Sequence, residues 1–114
     1  MQEAGQYLVG THDFKSFCAS KTQAQTTVRT VTGIEVETHS LSEGEYPSQK
    51  VIIRVTGEGF LYNMVRIISG TLIKVGLGVY PPEHVKEILA ACDRSKAGET
   101  VPAKGLFLKK IEYL

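Results

Sequence analysis

With 114 residues the chain is long enough for one hydrophobic core and too short for two, so a single domain is expected. Its 42% hydrophobic and 22% charged content is that of an ordinary soluble globular protein and names no function. A net charge of +1 argues against a histone-like or tail-type nucleic-acid binder and leaves only a local basic patch open.

Residues 2–9 read as the tail of a helix ended by Gly10. Nothing near Met1 caps its start, which suggests that this sequence begins inside something larger. Thr11–Cys18 follows as a short helical turn, with Thr11 as N-cap and Phe14, Phe17 and Cys18 turned inward. Residues 19–27 are polar and form an exposed loop. A strand is predicted from Thr27 to Thr38, where Gly33 shifts the alternation and marks a bulge. Residues 39–48 make a hairpin connection. The next strand, Lys50 to Thr56, has Val51, Ile53 and Val55 on one face.

Residues 57–78 are predicted to form one long helix. At helical spacing Leu61, Met64, Val65, Ile68, Leu72 and Val75 fall on one stripe, flanked by Phe60, Ile67 and Ile73. Gly59 shapes its start, and Gly76 and Gly78 read as C-terminal caps. Gly70, in mid-helix, signals the close approach of a backbone or a ligand. On the far side lie Asn63, Arg66, Gly70 and Lys74, with Tyr62 beside them. An arginine set among Val65, Ile67 and Ile68 requires an anion, because a buried, unpaired guanidinium costs several kcal/mol.

Pro81 and Pro82 open a further helix with Val85, Ile88, Leu89 and Cys92 on its inner face. Residues 93–105 are a long, partly basic loop, and a last strand runs from Leu106 to Tyr113. The fold class is therefore α+β: an antiparallel sheet of three to four strands, helices packed on one face, one long central helix. Three strands leave two open edges, a further sign of additional chain.

Few residues suggest chemistry by themselves. Gly57-x-Gly59 imitates a nucleotide-binding turn, but Tyr62 stands where a third glycine is needed, so a tight strand-to-helix turn is the better reading. Cys18 and Cys92 have no ligand spacing with His12, His39 or His84, which argues against a metal site and for buried thiols in a reducing cytoplasm. No leader-like segment and no apolar run of about 18 residues point to secretion or to a membrane. Asp13 and Asp93 are the only aspartates, and neither belongs to a recognisable acid-base pair; His12 beside Asp13 suits a loop anchor. Lys15, Lys21, Arg29, Arg54, Arg94, Lys96 and Lys104 are spread over loops and a sheet face, compatible with phosphate contacts.

Four blocks in order, Gly10-Thr11-His12-Asp13-Phe14-Lys15-Ser16-Phe17-Cys18, Thr27-Val28-Arg29-Thr30, Gly57 to Gly70, and Arg94 with Ala97 to Leu106, resemble the bacterial tRNA pseudouridine synthase A group. The resemblance implies the C-terminal half of an isomerase, 1–114 being one domain, that converts uridine to pseudouridine in the tRNA anticodon stem-loop. It implies no cofactor and a homodimer. The family's catalytic aspartate lies in a Gly-Arg-Thr-Asp motif that this chain lacks, so the chain alone is expected to be inactive. By the same resemblance Arg66 is the arginine that pairs with that aspartate, and Leu106 borders the uracil pocket. Phe60 and Tyr62, near the same helix start, are expected to line that pocket, and among the basic residues of the loops and sheet Lys15, Lys21, Arg29, Arg94 and Lys104 are expected to contact RNA. A non-catalytic RNA-binding or dimerisation module is the alternative.

Overall fold

A computed structural model of the chain describes residues 1–18, 26–41, 48–61 and 63–101. Three strands, β1 (Gly10–Asp13), β2 (Val28–Leu41) and β3 (Ser48–Glu58), pair antiparallel in the order β1-β2-β3. Among the described residues three α-helices accompany them: α1 (Gln2–Gln6), α2 (Met64–Gly76) and α3 (His84–Ala91). The expected α+β class is thus observed. Val31, Ile34, Val36, Ile53 and Val55 face the helices and join the core. Out of phase with them, Glu35, Glu37 and Arg54 occupy the other face, where Arg54 Nη1 lies 2.6 Å from Glu37 and 3.8 Å from Glu35.

Gly33 does mark a bulge. The register passes from Val31↔Gly57 to Gly33↔Thr56 and leaves Thr32 without an opposite residue. The extra residue lets Val31 and Ile34, three apart, both turn into the core, where each is buried. β1 covers only Val28 to Val31 of β2. Further along, a side chain replaces the missing strand: the Gln2 amide donates to Ile34 O at 2.9 Å and accepts from Val36 N at 2.7 Å. It satisfies the strand's backbone as a peptide group would.

Two sequence expectations are corrected. Residues Thr11–Cys18 are not a helical turn: Gly10–Asp13 is β1, and only Lys15–Phe17 forms a 3-10 turn. Phe14, Phe17 and Cys18 are buried all the same, because a strand running into a tight turn presents them to the same core. The helix expected over 57–78 is also shorter. Gly57 and Glu58 continue β3, paired with Val31 and Thr30, and the left-handed backbone at Gly59 (φ 81°) and Asn63 (φ 61°) cannot belong to a right-handed helix. The strand predicted from Leu106 to Tyr113 lies outside the described residues; among the described residues the sheet's third strand is β1, most of which was expected to be part of a helical turn.

Within α2 the buried stripe is Met64, Ile67, Ile68, Thr71, Leu72 and Val75. It is rotated from the expected one: Ile67 is fully buried, Val65 only half, and the flanking Ile73 and Phe60 are 37% and 39% exposed. Gly78 caps its end as expected, its N donating to Val75 O and Val79 N to Lys74 O, whereas Gly76, also expected as a cap, is the last helical residue. In α3, Val85, Ile88 and Leu89 are buried as predicted. No described helix is long and apolar enough to cross a membrane.

Two buried hydroxyls tie loops to helices. Ser16 Oγ donates to Ile88 O at 2.7 Å and accepts from Asp93 N at 2.8 Å. Thr71 Oγ1 donates to Ile67 O and accepts from Gly98 N, each at 2.9 Å. The second bond places the segment that completes the site.

Candidate active site

Arg66 stands in the first turn of α2, whose N-terminal dipole adds positive potential to the guanidinium, and no acidic residue in that turn offsets either. Its Nε donates to Val101 O at 2.7 Å and its Nη1 to Asn63 Oδ1 at 2.9 Å. Both acceptors are neutral. Among the described residues no carboxylate pairs with Arg66, and Nη2 has no hydrogen-bond partner. A half-buried guanidinium held by two neutral oxygens has its direction set and its charge unmatched, which suits it to receive an anion.

The carbonyl of Val101 is delivered by a strap, residues 97–101, laid along α2. Gly98 N meets Thr71 Oγ1, and Val101 N donates to Arg66 O at 3.4 Å. At the crossing point each of two glycines faces the backbone of the opposing segment. A Cβ on Gly70 would lie 1.8 Å from Glu99 O, and one on Gly98 would lie 2.8 Å from the Thr71 backbone. The close approach inferred from Gly70 is therefore that of this strap. Arg94, from the 3-10 turn Arg94–Lys96, braces it by donating from Nη2 to Thr100 Oγ1 at 3.2 Å.

Neither aspartate is turned toward Arg66. Asp13 Oδ1 accepts from Lys15 N and from the Thr27 hydroxyl. Asp93 Oδ1 accepts from Ser95 N and Ser95 Oγ, bonds that hold its carboxyl below the usual range with smaller help from Lys96 and Lys15. His12 does not pair with Asp13; its Nε2 contacts Val9 O at 3.0 Å, a loop anchor.

Residues 4–114 match the family described as tRNA pseudouridine synthase. The chain belongs to that family. It is 52% identical over 113 residues to the tRNA pseudouridine synthase A of Brevibacillus brevis, covering 99% of this chain and 43% of the relative. Against the tRNA pseudouridine synthase A of Bacillus subtilis it is 48% identical, covering 99% and 42%. The tRNA pseudouridine synthase A 2 of Clostridium tetani is 50% identical with the same 99% and 42% coverage. The chain thus spans less than half the length of the curated relatives it matches.

Within this tRNA pseudouridine synthase family member, the predicted site residues fall in different places. Phe60 lies a short way before α2 at the same end as Arg66 and is partly exposed. Tyr62, Leu106, Lys21 and Lys104 lie outside the described residues. Lys15 is exposed, and the 3-10 turns Lys15–Phe17 and Arg94–Lys96 bring it with Lys96 to the surroundings of Asp93. Arg29 is half-exposed, and its Nη1 donates to Thr26 O and Val28 O at 2.8 and 2.7 Å. Sequence reasoning missed Asn63 as the partner of Arg66, although a spacing of three across a helix start makes them neighbours. It also missed the Val101 carbonyl, whose only sequence trace is the pair of glycines at the crossing.

Proposed function

We propose that this chain is part of an RNA-modifying isomerase that converts uridine to pseudouridine in the tRNA anticodon stem-loop, as a cytoplasmic homodimer. Arg66 pairs with a catalytic aspartate that none of its own residues supplies. Phe60, Tyr62 and Leu106 border the base, and Lys15, Lys21, Arg29, Arg94 and Lys104 contact tRNA. The observation that carries this reading is that Arg66 meets no carboxylate among the described residues: an oriented guanidinium, held by Val101 O and Asn63 Oδ1, with both aspartates bound elsewhere. Such a group keeps an approaching carboxylate ionised and fixed in place.

Incubating the chain alone with unmodified tRNA should yield no pseudouridine. Placed in the Brevibacillus brevis relative in exchange for the matching residues, it should support turnover that Arg66→Met abolishes. Turnover by the chain alone, or full turnover with Arg66→Met, would overturn the reading. Binding of tRNA with no turnover in the exchanged protein would favour a module that binds RNA without chemistry.

A further inference from the structure

Asn63 occupies a position where its backbone and its side chain each depart from the usual helix cap. A capping residue ordinarily has extended backbone and turns its side-chain oxygen onto a backbone N–H of the first turn. Asn63 instead has φ 61° and ψ 8°, and its side chain makes no cap hydrogen bond. The oxygen goes to Arg66 Nη1 at 2.9 Å. Left-handed backbone is open to glycine, asparagine and aspartate at modest cost, and asparagine alone of these offers a neutral carbonyl at this reach. Glycine offers none, and aspartate would bring a carboxylate of its own.

We propose that Asn63 is a positioning residue: its carbonyl locks the outer end of the Arg66 guanidinium without consuming its charge, leaving Nη2 for the carboxylate of the reaction. The inference rests on the isomerase reading above and deepens it. Val101 O fixes Nε, next to the side-chain stem, but a single contact there leaves the plane free to swing; the Asn63 contact at Nη1 removes that freedom. Direction and charge are then set by different groups.

The test separates charge from direction. In the chain itself, nitrogen-proton spectra of Arg66 should show slowed rotation of the terminal guanidinium groups. In Asn63→Gly, which keeps the left-handed turn, rotation should become fast while the Nε proton stays protected by Val101. Unchanged rotation in Asn63→Gly would overturn the proposal. In the exchanged full-length enzyme, Asn63→Gly should lower kcat about ten- to a hundredfold with KM for tRNA within about twofold. Asn63→Asp should lower kcat further, while holding the melting temperature or raising it, because it neutralises Arg66 from inside. A merely structural cap would be served as well by aspartate, so wild-type kcat in Asn63→Asp overturns the proposal. The levels are kept apart: no turnover by the exchanged wild-type enzyme sinks the isomerase reading, turnover kept in Arg66→Met sinks the role of Arg66 and with it that of Asn63, and an inactive Arg66→Met beside Asn63 variants that both turn over normally sinks only the role of Asn63.

Discussion

Arg66 and Val101 hold each other twice, side chain to backbone through Nε and Val101 O at 2.7 Å, and backbone to backbone through Val101 N and Arg66 O at 3.4 Å. The helix therefore orients the strap and the strap orients the arginine, so the site's cation is part of the tertiary clamp that closes the chain over α2. Substitutions at this pair report on stability and on chemistry together, by different amounts.

Arg66→Met removes two charge-assisted hydrogen bonds but keeps the packing of the side-chain stem, and the group is half-exposed. A loss of about 1–2 kcal/mol is expected, a few degrees in melting temperature. A severed internal ion pair would cost about 3 kcal/mol or more. Arg66→Lys should lie between wild type and Met, since one ammonium cannot reach both acceptors in the guanidinium's geometry. Thermal melts of the three proteins decide it. A loss for Met at the level of a broken ion pair would show that an internal carboxylate had been serving Arg66.

Gly70→Ala should destabilise the chain although alanine is the better helix former by about 1 kcal/mol. The new Cβ would lie 1.8 Å from Glu99 O, which is backbone and can only move if the strap moves. Overpacking of that kind costs about 1–3 kcal/mol, and here it also draws Val101 O away from Arg66. The expected signature is a lower melting temperature together with faster hydrogen exchange at Gly98 and Val101. A variant more stable than wild type would show that the strap yields without cost.

Particular residues show which parts of this were legible in sequence. The bulge at Gly33 and the stripe of α3 follow from local patterning, and both are observed. β1 was missed because Gly10–Asp13 holds no alternating apolar residues; what makes it a strand is pairing with Val28 to Val31, which no local pattern encodes. The start of α2 was misplaced because the apolar periodicity runs on through Phe60 and Leu61, whereas the left-handed turn at Asn63 is a backbone choice that periodicity does not report. In the site, the expectation of an anion for Arg66 came from its apolar neighbours, whereas the acceptors observed on it are neutral. Its actual holders were not legible, since a backbone carbonyl from the far end of the described chain has no residue-type signature.

Stability should fall in acid for a reason visible at two carboxylates. Ser95 hydrogen bonds lower the Asp93 pKa from 3.8, and Glu37 is lowered from 4.5 by Arg54 and then His39. A carboxylate whose native pKa is lowered contributes stability that is fully present above its unfolded pKa and is lost as pH falls through the native one. Both groups are on the surface, so each effect is small. Chemical melts at neutral pH and near pH 3 should show Asn at position 93 (Asp93→Asn) less stable than wild type at neutral pH, with a smaller loss on acidification. Concentrated salt should weaken the Glu37 contribution more than that of Asp93, which rests on hydrogen bonds. An acid loss as large in Asp93→Asn as in wild type would assign the effect to other groups.

Binding to RNA by the chain should be weak and steeply salt-dependent, because a net charge of +1 leaves only local cations to displace counterions. The structure divides those cations into two kinds. Arg29 and Arg94 donate to Thr26, Val28 and Thr100 and so help to hold a strand start and the strap. Lys15 and Lys96 are exposed and lie close together around Asp93. Replacing both lysines by alanine should leave the melting temperature nearly unchanged and reduce the slope of log affinity against log salt by about 1.5, the release expected for two phosphate contacts. Arg94→Ala should behave differently: it frees Thr100, loosens the strap and lowers the melting temperature as well as the affinity. Titrations of tRNA at several salt concentrations, run beside thermal melts, distinguish the two classes. An unchanged slope in the double lysine variant would place the RNA on another surface of the chain.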